Sequence, residues 1–92
     1  MEKRVKRGKL EIMRDIIFII REHKNLIKPT PLLRKSNLSS TRFQEYFSEL
    51  KDKGFVRETE EKKNKFVSLT DKGFKFLERY QTIIGFIDEF EL

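Results

Sequence analysis

From Lys9 to Lys24 the apolar residues Leu10, Met13, Ile16, Ile17 and Ile20 recur at steps of three and four. That spacing lays them along one face of a first helix, with Ile12, Phe18 and Ile19 widening the stripe. Arg14, Asp15, Arg21 and Glu22 fall on the solvent side, and Asn25 is suited to the left-handed conformation that closes a helix. Thr30-Pro31 reads as an N-cap oxygen followed by a proline at the first helical position, which predicts a short second helix from Pro31 to about Ser36. Asn37 then breaks the helix, Leu38 points inward from the turn, and Ser39 caps a third helix that ends near Gly54. Within it Phe43, Phe47 and Leu50 are spaced to face a core, with Tyr46 at the margin.

After Gly54 the period drops to two. Phe55 to Thr59 and Lys65 to Leu69 read as short strands flanking the charged segment Glu60 to Asn64. The tip lacks the Asn-Gly or Asp-Gly pair of the tightest hairpins, so a longer, mobile loop is expected there. Thr70 then caps a long final helix carrying Phe76, Tyr80, Ile83, Ile87 and Phe90 at alternating steps of four and three, a heptad seam broadened by Leu77 and Ile84. Its start, around Phe74 and Leu77, is expected to fold back on the domain, and the stretch beyond Tyr80 to project. The pattern as a whole predicts a mainly α fold with one small β-hairpin, an α+β arrangement.

Ninety-two residues suit one domain with a small core, which often gains from pairing with a second subunit. The absence of cysteine excludes disulfides, thiolate metal sites and cysteine nucleophiles. No stretch approaches the roughly 20 consecutive apolar residues of a membrane span, so a soluble, cytoplasmic chain with no membrane partner is expected. The formal charge of +6 is uneven. Lys3, Arg4, Lys6, Arg7 and Lys9 crowd the N-terminus, whereas Asp88, Glu89 and Glu91 make the other end acidic, a polarity suited to one end meeting an anion. Charge alone does not separate nucleic-acid binding from simple solubility.

The order helix, short helix, helix, hairpin, helix resembles winged helix-turn-helix domains. The segment from Leu38 through Ser39-Ser40-Thr41-Arg42 to Gly54-Phe55-Val56 is similar to their recognition helix running into the first wing strand. Ser68-Leu69-Thr70-Asp71-Lys72-Gly73 is similar to the link into the last helix of many archaeal and bacterial transcription regulators, and the final helix resembles the dimerising helix of small archaeal proteins such as the Sso10a group. The resemblance implies a basic arm over 1–8, a DNA-binding winged helix over 9–73 and a C-terminal dimerisation helix over 74–92.

It further implies a homodimer on double-stranded DNA, either a site-specific transcription regulator or a sequence-tolerant architectural protein. Ser39, Ser40, Thr41, Arg42, Gln44, Tyr46 and Ser48 would form the recognition surface. Arg42 can contact two acceptors of guanine or else a phosphate, and Gln44 can do the equivalent for adenine. The hydroxyls of Ser39, Ser40 and Thr41 suit phosphates at a helix start, and Glu45 is expected to pair with a neighbouring cation. Lys62, Lys63, Asn64 and Lys65 form the wing contact, weakened by Glu60 and Glu61. Lys3, Arg4, Lys6 and Arg7 either track phosphate or form an unbound tail. Phe76, Tyr80, Ile83, Ile84, Ile87 and Phe90 form the expected dimer interface.

Two rival classes are weighed against this. For catalysis, His23 is the sole histidine and sits at a helix end, where contact with the helix dipole accounts for it. Glu60, Glu61, Asp88 and Glu89 do not converge, and no phosphate-binding glycine loop or metal-ligand cluster is visible, so no enzyme and no cofactor are expected. The other is a winged helix turned to protein or RNA binding; exposed Phe or Ile on the recognition helix would favour protein binding, and Ser, Thr, Arg and Gln stand there instead.

Overall fold

A computed structural model describes residues 8–92. Four helices and two strands follow in the order α1 (Lys9–Glu22), α2 (Pro29–Ser36), α3 (Ser40–Asp52), β1 (Val56–Glu61), β2 (Asn64–Leu69) and α4 (Asp71–Glu89). The core is the meeting of their apolar faces. Ile12, Met13, Ile16, Ile17 and Ile20 of α1 are buried with Leu32 of α2, Phe43, Phe47 and Leu50 of α3, and Val56, Val67, Leu69 and Leu77. Each such side chain contributes roughly 1.5–3 kcal/mol on leaving water. Phe43 and Phe47, one turn apart, stack with ring centroids 5.3 Å apart. Leu10, expected on this face, is instead 50% exposed, because α1 begins at Lys9 and its first turn overhangs the core.

The helix ends follow local chemistry. Asn25 and Asn37 take left-handed φ values of 58° and 64°, closing α1's exit and α2. The second helix starts two residues before the expected site: Lys28 is the cap and Pro29 the first helical residue. Pro31 then falls at the third helical position, where the N–H has no intrahelical partner to lose. Ser39 Oγ accepts from the Arg42 N–H at 3.2 Å, capping α3.

β1 and β2 pair antiparallel from Val56↔Leu69 to Glu61↔Asn64. The strands therefore run further than expected, and the tip is not a long mobile loop. Only Lys62 and Lys63 intervene, with φ of 50° and 68°. Positive φ at both central residues is the mark of the tight type I′ turn, whose twist matches the strands and which lysine adopts here without the usual Asn-Gly. Behind the hairpin, Ile27 exchanges backbone hydrogen bonds of 3.1 and 2.8 Å with Val67, adding a short bridge from the α1–α2 connection. Asn25 Oδ1 accepts from the Leu69 N–H at 2.7 Å.

The junction of α3, β1 and α4 is locked around Thr70. Its Oγ accepts from the Gly73 N–H at 3.2 Å and donates to the Gly54 carbonyl at 2.6 Å, while its own N–H donates to the Phe55 carbonyl at 3.1 Å. Gly54, at φ 80°, lets the chain turn from helix into strand. Gly73 is buried because α4 lies hard against β1: a Cβ there would stand 2.3 Å from the Phe55 carbonyl oxygen.

Leu77 of α4 docks on the core. Arg14 of α1 lies 4.5 Å from the centre of the Phe18 ring and 5.8 Å from that of Tyr80, holding α4 against α1 from the rim. Burial of the Tyr80 phenol, with Glu11's charge nearby, raises its pKa. Phe74, expected to fold back on the domain, is 41% exposed: it precedes Leu77 by three residues but falls on the outer flank. Beyond Tyr80 the helix leaves the body. Ile83, Phe86, Ile87 and Phe90 are exposed, and from Gln81 onward only Ile84 is half-buried. Among the described residues, no helix is long and apolar enough to cross a membrane.

Candidate nucleic-acid interface

The two sides of α3 divide cleanly. Phe43, Phe47 and Leu50 are buried, whereas Ser40, Thr41, Arg42, Gln44, Glu45 and Ser48 are exposed. The structure thus brings the expected recognition residues of α3 onto one rigid surface. Ser39 is committed to the cap, so its Oγ serves the helix start and leaves the surface to Ser40 and Thr41. Tyr46 differs from the rest. It is half-buried against the core, and its hydroxyl accepts from the Arg42 guanidinium at 3.2 Å.

Arg42 is therefore held along the helix, its guanidinium carbon 5.7 Å from the Tyr46 ring centre. A cation resting on a ring at an exposed site gains only about 0.5–1 kcal/mol, so the guanidinium can be released to a better acceptor. Gln44 and Ser48 make no side-chain hydrogen bond among the described residues, which leaves their donors and acceptors open. Glu45, expected to pair with a neighbouring cation, forms no ion pair among the described residues: Arg42, one turn before it, is held by the Tyr46 hydroxyl, and Lys51 and Lys53 pair with Glu58 and Glu49.

Those pairs brace the surface from behind. Glu49 receives Lys9 at 2.9 Å and Lys53 at 3.6 Å, tying the start of α1 to α3. The hydrogen bond from Lys9, followed by the charges of Lys9 and Lys53, holds its carboxyl below the usual carboxylate range against the opposing effect of burial. Lys51 reaches Glu58 of β1 at 3.1 Å and joins α3 to the hairpin.

At the hairpin tip Lys62, Lys63, Asn64 and Lys65 are all exposed. The turn puts the two lysines at its apex, beyond the last strand pair, and places Glu60 across from Lys65 in the register. The acidic pair therefore offsets Lys65 more than the apex. Asn64 is occupied in the turn, its Nδ2 donating to the Lys62 carbonyl at 3.5 Å. Sequence reasoning missed Arg34 and Lys35, exposed cations at the end of α2. Arg34 borders, with Thr30, Asn37 and Ser40, a shallow cleft beside the α3 start. Basic residues in a helix's last turn are readily taken for dipole partners, which hides them in a linear reading. The arm residues Lys3, Arg4, Lys6 and Arg7 lie outside the described residues.

His23 caps α1, with Nδ1 3.2 Å from the Leu26 carbonyl, and among the described residues no group of three or more histidines and carboxylates could hold a metal.

Three helices with a hairpin against the third, followed by a projecting fourth, make a winged-helix domain, and known proteins agree. A family model described as winged helix-turn-helix matches residues 6–87, so the chain belongs to that family. Among solved structures it is similar to Sso10a-2, a DNA-binding protein from Sulfolobus solfataricus, at 22% identity and TM-score 0.74, covering 92% of this chain and 86% of that one. A winged-helix DNA-binding protein from STIV is similar at 19% identity and TM-score 0.72, covering 86% and 91%. A reported archaeal mechanosensitive channel, described as a structural homolog of MarR-like transcriptional regulators, is similar at 20% identity and TM-score 0.66, covering 98% and 80%. No curated protein matches the sequence.

Proposed function

We propose that the chain binds double-stranded DNA as a homodimer and acts as a site-specific transcription regulator, with α3 in the major groove and the Lys62-Lys63 apex on backbone or minor groove. The observation that carries this reading is the composition of the exposed face of α3. Every exposed side chain from Ser40 to Ser48 is polar, while Phe43 and Phe47 are buried and fix the helix from beneath. A protein-binding helix would need exposed apolar anchors, and none is present on that face.

On this reading Arg42 leaves Tyr46 and donates to guanine O6 and N7 or to phosphate, and Gln44 offers adenine its matched donor and acceptor. Ser40 and Thr41, at the start of α3, meet phosphate with free backbone N–H groups beside their hydroxyls. Arg34 and Lys35 add cations beside that start. Homodimerisation is supported by the exposed apolar run on α4, and it would present two recognition helices to an inverted repeat. The similarity to DNA-binding proteins and to a homolog of MarR-like regulators supports the same reading.

Selection of binding sites from random duplexes tests it. An enriched inverted repeat, for which Arg42→Ala loses more affinity than it loses for random duplex, supports the regulator. Binding with no enriched sequence would replace it with the architectural role.

A further inference from the structure

Arg42 and Tyr46 stand one turn apart on α3, so that what one side chain does constrains the other. Tyr46 is half-buried and packed against the core, which fixes the place of its hydroxyl. Arg42 is exposed and reaches it: Nη2 donates to the phenolic oxygen at 3.2 Å, and the guanidinium carbon lies 5.7 Å from the ring centre. No carboxylate takes part, since Arg42 forms no ion pair among the described residues. A carboxylate would have held the guanidinium more firmly. The actual partner is a single uncharged oxygen, weaker than the paired acceptors of guanine. Gln44, on the same helix, has no such partner, because its side chain makes no hydrogen bond among the described residues.

That difference in strength bears on discrimination. A guanidinium pressed into a groove has lost water, and at a guanine it regains two bonds through O6 and N7. At a base without that pair of acceptors it is left short of partners, and the penalty of an unpaired, desolvated charge is what makes such a contact selective. Tyr46 changes the second case. Its hydroxyl stays one turn away in a fixed position, so the guanidinium folds back onto it and keeps one bond and the ring contact. A wrong base then costs only the difference between guanine's two bonds and Tyr46's one.

We propose that Tyr46 is a specificity-determining residue that makes α3 tolerant of sequence: it gives Arg42 a fallback partner wherever guanine is missing, and so softens the discrimination that Arg42 would otherwise impose. This rests on the duplex-DNA reading with Arg42 on a base edge, and it adds how stringently that base is read. The direction is opposite to the usual loss on mutation. Tyr46→Phe keeps the ring, its packing and its contact with the cation, removes only the hydroxyl, and sharpens selectivity. The base met by Gln44, which has no fallback, is read as before.

The test is a set of dissociation constants at one salt concentration for wild type, Tyr46→Phe, Arg42→Ala and the double variant. The duplexes are the selected site and versions of it with each guanine replaced in turn. The guanine that Arg42 reads is the one whose replacement no longer weakens binding in Arg42→Ala. At that position Tyr46→Phe should raise the ratio of replaced to selected dissociation constants at least about threefold, as the loss of one hydrogen bond to a charged group implies. The selected duplex should bind as tightly as to wild type, or up to about fivefold more tightly, because the bond to Tyr46 no longer has to be broken. In the Arg42→Ala background the same change should leave the ratio unaltered. Each ratio compares two duplexes on one protein, so any change in stability cancels. A ratio equal to or below that of wild type in Tyr46→Phe would overturn the proposal, as would a rise that persists without Arg42, and either result leaves duplex binding standing. If no guanine loses its effect in Arg42→Ala, then Arg42 reads no base, and the proposal falls together with that part of the functional reading.

Discussion

Replacing Gly73 with alanine adds one methyl group to a helix, where alanine is ordinarily preferred, and it should nevertheless be among the most damaging single changes in the chain. The new Cβ would lie 2.3 Å from the Phe55 carbonyl oxygen and 3.3 Å from Leu69 Cβ, whereas real Cβ atoms keep about 3.0 Å or more. That carbonyl cannot retreat freely, because it accepts from the Thr70 N–H at 3.1 Å and lies 3.2 Å from Thr70 Oγ. Overpacking costs roughly 1–3 kcal/mol. Stretching the Thr70 bonds costs about 0.5–1.5 kcal/mol each, and the better helix propensity of alanine returns about 1 kcal/mol. The net loss is about 3 kcal/mol, a large share of the roughly 5–14 kcal/mol total of a domain this size. With a urea slope near 1 kcal/mol/M, the midpoint should fall by about 3 M. Gly85→Ala is the matched control on the same helix: nothing lies within 4 Å of its Cβ position, so stability should rise by up to about 1 kcal/mol. Both are measured by urea titration at one protein concentration, since any dimer would make stability concentration-dependent. A Gly73→Ala midpoint equal to or above wild type would refute the close approach of α4 to β1.

Three further outcomes follow from the same geometry. Lys62→Asn with Lys63→Gly relieves two left-handed lysines and should stabilise the hairpin by about 1 kcal/mol; the same variant should reduce the slope of log affinity for DNA against log salt by up to about 0.9 for each phosphate no longer neutralised, and an unchanged slope would remove the wing from the binding surface. Ile83→Lys with Ile87→Lys should give a folded monomer by light scattering with much weaker duplex binding, and a variant that stays dimeric would show that the interface lies elsewhere. Because Glu49's pKa is lowered on folding, the stability it contributes is present above the ordinary carboxylate range and lost as pH falls through the lowered value; Glu49→Gln should flatten this acid limb in thermal melts taken as pH falls below the ordinary carboxylate range, and an unaltered limb would show that Lys9 and Lys53 do not hold the carboxylate.

Much of the fold could be read from the chain because its signals are local. Ser39 and Thr70 cap helices through their own next turn, and Asn25, Asn37 and Gly54 take the left-handed conformations that their side chains, or the lack of one, allow. The buried face of α3 follows from spacing alone. The misreadings arose where tertiary structure decides. Pro29 and Pro31 both fit a helix start, and only the chain's path chooses between them. The Lys62-Lys63 turn is closed by the strands on either side against lysine's own preference. Leu10 has core spacing but lies in the overhanging first turn of α1, and Phe74 falls on the outer flank of α4. Phe86, its ring centroid 4.9 Å from that of Phe90 on the exposed end of α4, escaped the heptad reading because it lies beside the seam. The reason for Gly73, and Asn25's bond to Leu69 across 44 residues, depend on tertiary packing that no local pattern encodes. For the candidate interface, residue types and the Ser39 cap were legible, but the hold of Tyr46 on Arg42 was not.

The proposed function stands or falls on whether the polar face of α3 meets a DNA duplex. The decisive measurement is an anisotropy titration of labelled duplex DNA, with unlabelled duplex DNA, duplex RNA and single strands as competitors at a fixed near-physiological salt. Duplex DNA should compete best, and Arg42→Ala should weaken binding to the selected duplex while leaving the thermal melt in place. Equal competition by all three kinds of nucleic acid, or full binding by Arg42→Ala together with Gln44→Ala, would show that this face does not read duplex DNA.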